Sequence, residues 1–104
     1  MSKSSYRSES LEAQSDSNRA DFLKRELALG FAFSTIAATN YDIGDPESAQ
    51  KSMTNAEKAY ETVDRFLSDP KHSKLLSVEQ IQDMRAELER LLGRLDGLLR
   101  RLKK

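Results

Sequence analysis

Apolar residues recur along the chain at steps of three and four, in three separate runs divided by turn-forming residues. In the first run, Ala20, Leu23, Leu27, Gly30 or Phe31, Ser34, Ala38 and Tyr41 define one row. Phe22, Leu29, Phe33 and Ile36 define a second row beside it. This spacing predicts a helix over about 18–40, with Ser17 or Asn18 able to cap it. Two neighbouring rows make a wide apolar face, and a helix with such a face contacts two neighbours. The second run, Ala49, Met53, Ala56, Tyr60, Val63 and Leu67, widened by Ala59 and Phe66, predicts a helix over about 46–68. In the third, Ile81, Met84, Leu88, Leu91, Leu95, Leu98 and Leu102 keep heptad spacing and predict a helix over about 78–102.

The boundaries between runs carry their own chemistry. Gly44 can take the left-handed conformation that ends a helix, Asp45 can cap the next, and Pro46 suits a first helical position because its missing N–H leaves nothing unsatisfied. Ser68, Asp69 and Pro70 read as a stop, followed by a loop through His72. Ser77 and Gln80 have the spacing of a capping box, and Leu76 and Ile81 that of a hydrophobic staple. Leu75 and Leu76 are expected to tuck under this connection. Three helices joined by short links favour antiparallel neighbours. The expected fold is therefore all-α, an antiparallel three-helix bundle over 18–104. Upstream, residues 1–17 are serine-rich with few apolar side chains, which predicts a flexible arm, disordered or loosely helical.

The stretch Gly44, Asp45, Pro46, Glu47, Ser48, Ala49, followed by Ala56 and Tyr60, resembles the second half of a tetratricopeptide repeat. Phe33, Ile36 and Ala37 fall where that family places the large, aliphatic and small residues of its first helix. The resemblance spans about 30–61 as a single copy, whereas arrays of this kind stack three or more. It implies a protein–protein adaptor. Positions 34 and 38 hold serine and alanine, not the lysine and asparagine that grip a peptide carboxylate in some members, so that grip is not carried over.

Composition bounds the chemistry. The chain has 104 residues, which suits one domain. Its 17 basic and 17 acidic side chains cancel, so nucleic acid is not an expected partner. Without cysteine it has no disulfide, no thiolate nucleophile and none of the usual zinc sets. No stretch approaches the roughly 20 apolar residues of a membrane span, and the cytoplasm is the default expectation. His72 is the one histidine, too isolated for a metal site. The acidic row Glu79, Asp83, Glu87 reads as a solvated face tempered by Arg90 and Arg94. The four glycines are scattered and form no phosphate loop, and Gly93 and Gly97 point away from the leucine seam. No catalytic residue, cofactor or metal is expected, and the chain reads as a non-enzyme.

The doubled leucine row at the C-terminal end is the most informative feature. Leu92, Leu95, Leu98, Leu99 and Leu102 exceed what one seam of a small bundle requires, and if exposed they would form a patch of the kind that marks interfaces. With Arg94 and Arg101, and with Glu87 and Glu89 on the same helix, they are the expected surface for a protein partner or a second copy, docked helix to helix. The basic tail complements the helix dipole. The alternative is a small-molecule sensor with a pocket between helices lined by Phe22, Phe33, Tyr41, Tyr60 and Phe66.

Overall fold

The computed structural model describes the backbone of 2–102 and the side chains of 19–102. Four helices follow one another: α1 (Ser2–Asp42), α2 (Pro46–Ser68), α3 (Pro70–Ser73) and α4 (Val78–Leu102). The fold is all-α, with no strand among the described residues. The bounds of α2 and α4 agree with the sequence pattern. Those of α1 and α3 do not. Helical backbone runs through Ser17 and Asn18 back to Ser2, because a residue able to cap starts a helix only where the preceding backbone leaves the helical conformation. The expectation of a flexible arm over 1–17 falls on side chains outside the described residues.

The connection from α1 to α2 is a Schellman ending merged with a cap. Gly44 has φ of 81°, its N–H donates to the Tyr41 carbonyl at 3.1 Å, and the Asp45 N–H reaches back to the Asn40 carbonyl at 2.8 Å. These bonds satisfy carbonyls that a helix end otherwise leaves open. Asp45 then serves α2 directly, its Oδ1 accepting from the Ser48 N–H at 3.1 Å with Pro46 opening the helix. One aspartate thus closes one helix and begins the next, leaving almost no slack.

The second connection is more structured than a stop-and-loop reading expects. Asp69 ends α2 through its N–H to the Arg65 carbonyl, and its Oδ1 accepts from the Lys71 N–H at 2.9 Å. Pro70, held near helical φ, then opens the single turn of α3. The Asp-Pro pair that reads as a terminator is also a start signal, and both roles are used here. His72 accordingly lies in a helical turn and is half-buried. Its ring lies 4.4 Å from that of Phe66, which in turn meets Phe22 at 5.6 Å. Leu76 is buried beneath the connection, whereas Leu75 remains exposed. The capping box forms in both directions: Ser77 Oγ accepts from the Gln80 N–H at 3.0 Å, and Gln80 Oε1 accepts from the Ser77 N–H at 2.9 Å.

The core divides along the molecule into two clusters joined through Tyr60. At one end Ala20, Leu23 and Leu27 of α1 meet Val63 and Leu67 of α2 and Met84 and Leu88 of α4. At the other, Ala37 meets Met53 and Ala56, with Leu91, Leu95 and Leu98. The core row of α1 passes through Gly30, Ser34 and Ala37 rather than Phe31 and Ala38, which are half-buried. Gly30 belongs there because the helices approach closely: a Cβ at that position would lie 2.6 Å from Leu91 Cδ2 and 3.5 Å from the Ala59 Cβ. Ser34 is buried among apolar side chains, yet its hydroxyl donates to the Phe31 carbonyl at 2.7 Å and is satisfied.

Candidate functional site

The leucines proposed as an exposed patch are divided by the structure. Leu95 and Leu98 are core residues, 3% and 6% exposed. Leu99 and Leu102 are half-buried against the second core cluster, and of the five only Leu92 is counted among the exposed large apolar side chains, at 40%. The patch of five does not form, because α1 and α2 reach far enough along α4 to cover the seam as far as Leu98.

The two arginines expected to select register are also engaged internally. Arg94 lies over the Phe31 ring, 5.6 Å from its centroid, and donates to Ser34 Oγ and Thr35 Oγ1 at 3.4 Å each. Arg101 lies over the Tyr41 ring at 4.7 Å and pairs with Asp42. Both clamp α4 to α1. Glu87 pairs with Arg90 at 2.6 Å, an exposed i, i+3 contact of small energetic weight.

The aromatic residues proposed to line one pocket are spread over the molecule. Phe22 and Phe66 meet at a tilt at the end near His72, Tyr41 lies under Arg101, and Tyr60 faces α4. Among the described residues, no group of three or more histidine or carboxylate side chains converges as a metal site, and no helix is long and apolar enough to cross a membrane.

Two surfaces remain. The first is a stripe along α1. Phe22, Leu29, Ile36 and Ile43 recur every seven residues and are 40%, 46%, 46% and 71% exposed. Glu26, Phe33 and Asn40 lie between them, half-buried, so the whole series alternates steps of four and three. That is the spacing of a coiled-coil seam. On α2, the residues that share the side of Phe66 by helical spacing, Ser52, Asn55, Ala59 and Thr62, carry no charge. The sequence signal for this surface was the second apolar row: α1 packs against both α2 and α4, and Phe22, Leu29 and Ile36 of that row stay exposed beyond them.

The second surface is a groove of about 170 Å³ between α2 and α4, with Tyr60, Leu92, Leu95 and Leu99 as its apolar lining and Glu57, Glu61 and Asp96 at its rim. Asp64 and Glu89 lie on the same sides of their helices, one and two turns along. Burial pushes the Tyr60 phenol above its ordinary value, and Asp64, Asp96 and Glu89 add to the effect against an opposing Arg85. Neutral Tyr60 is therefore favoured by apolar contact first and by negative surroundings second.

Compared with known proteins, the chain matches no family model, no curated protein and no solved structure.

Proposed function

We propose that the protein is a non-catalytic helical interaction module, an antiparallel bundle of three long helices with α3 as connector, that associates by docking helix against helix. The observation that carries this reading is the α1 stripe. The chain has a closed core without Phe22, Leu29, Ile36 and Ile43, yet those positions hold large apolar side chains in coiled-coil register. Exposed apolar rows of this length mark interfaces in soluble proteins. The uncharged α2 row beside the stripe removes the desolvation cost that charges would impose on an approaching helix. A second copy presents the same seven-residue spacing, so self-association through α1 is the form this geometry favours. The tetratricopeptide resemblance of 30–61 points to the same class of function.

Light scattering over a wide concentration range provides the test. The wild-type chain is expected to shift from monomer to dimer, and Leu29→Asp with Ile36→Asp to remain monomeric while keeping its helical circular dichroism. A wild-type chain that stays monomeric throughout, or a double variant that still dimerises, refutes the α1 assignment.

A further inference from the structure

We propose that the groove between α2 and α4 is a second docking surface that receives a basic amphipathic helix from a different protein, with the partner's leucine-like residues on Tyr60, Leu92 and Leu99 and its lysine or arginine residues along both acidic rims. This goes beyond self-association, uses none of the α1 stripe, and shares with that reading only the premise that the bundle docks helices.

The charges on α4 are sorted by side. Arg94 and Arg101 turn toward α1, where each covers an aromatic ring and meets a polar partner. Arg85 donates to the Leu67 carbonyl at 3.2 Å and is occupied at the far end of the α2 contact. On the α2 side, α4 presents Glu89 and Asp96, two turns apart, and α2 presents Glu57, Glu61 and Asp64. None of these five carboxylates takes part in an ion pair among the described residues. A chain of zero net charge thus keeps a local negative groove, and the raised pKa of Tyr60 at its floor reflects burial together with that field.

An acidic cluster alone would only repel itself. Here it frames an apolar floor, because Leu92 and Leu99 stand seven residues apart with Tyr60 opposite. Seven residues are two helical turns, about 10.5 Å. A helix laid in the groove can seat side chains at i, i+3 or i+4 and i+7 against that floor. Its flanks then face carboxylates on both sides, where basic residues are attracted and acidic ones excluded. An acidic or neutral amphipathic helix would find the same apolar floor but leave the rims unpaired, so the chemistry discriminates by charge.

The probe is a fluorescent, capped amphipathic peptide of about 15 residues, long enough to sustain helix on docking, with leucines at i, i+3, i+4 and i+7 and lysines on both flanks. A second peptide keeps the leucines and replaces every lysine with glutamate. Both are titrated against the full chain carrying Leu29→Asp and Ile36→Asp, so that failure of the α1 reading does not decide the outcome. The lysine peptide is expected to bind, with amide shifts confined to 57–64 of α2 and 89–99 of α4, and the glutamate peptide not to bind. Glu57→Lys with Glu61→Lys should weaken binding by at least about tenfold, and the milder Glu61→Gln with Asp96→Asn should weaken it less, in a chain whose helical signal is unchanged. Affinity should fall as salt shortens the screening length from about 8 Å at 0.15 M to about 3 Å at 1 M. Absence of binding, equal affinity for the two peptides, indifference to both charge variants, or shifts located on α1 would each overturn the proposal.

Discussion

Glycine has opposite meanings at different points in this chain. Gly44 sits at a φ of 81°, where any Cβ is strained, and its N–H completes the end of α1. Gly93 and Gly97 lie in helical backbone on α4, with no side chain near the space a Cβ would fill. Gly44→Ala is therefore expected to cost about 1 kcal/mol, whereas Gly93→Ala should stabilise by up to about 1 kcal/mol through helix propensity. Chemical denaturation of the two variants separates these signs. Asp45 allows a pH test at the same scale. Its pKa is held below the ordinary aspartate value, chiefly by the hydrogen bond from Ser48. A carboxyl depressed on folding contributes stability above its unfolded pKa and loses it as pH falls through the folded value. Asp45→Asn keeps a capping oxygen but does not titrate, so its stability profile should lack that acid-side loss. An identical profile in wild type and variant below the ordinary aspartate range would exclude the linkage.

At the scale of elements, the residues that punctuate the helices were legible because their chemistry is local. Ser77 and Gln80 bond each other's backbone within four residues, and no tertiary partner is needed to decide it. Removing the cap with Ser77→Ala should lower stability by about 1 kcal/mol without changing the length of α4, measured by denaturation and by amide exchange in its first turn. Asp69-Pro70 was harder to read, because one dipeptide both ends α2 and opens α3. Whether a further turn forms depends on what it packs against, and the Phe66 ring beneath His72 is contributed by another helix. The start of α1 is less legible for a related reason: Ser17 and Asn18 can cap, but capping is an option, and the helical backbone continues through both.

For the molecule as a whole, the decisive quantity is how far each helix covers its neighbours. The leucine count at the end of α4 suggested an external patch, but that inference required knowing where α1 and α2 stop in space. Leu95 and Leu92 are three residues apart and chemically identical, yet one is 3% and the other 40% exposed. Leu95→Ala should accordingly cost about 2–5 kcal/mol, the usual range for a buried leucine, while Leu92→Ala should cost well under half as much. Thermal or denaturant unfolding distinguishes them, and equal losses would contradict the packing described for the second core cluster. The same coverage leaves the α1 stripe and the acidic groove open, one mainly apolar and one strongly negative at its rim. These surfaces have different chemistry and should respond separately to mutation.

The amino-acid order alone determined the all-helical class, the bounds of α2 and α4 and the chemistry of their caps, because periodicity and capping act over a few residues of chain. Only the tertiary structure decided which apolar rows became core and which stayed at the surface, and which arginines were consumed in clamping α4 to α1. Burial depends on neighbours distant in sequence, and two leucines with the same local pattern differ once one of them is covered by another helix.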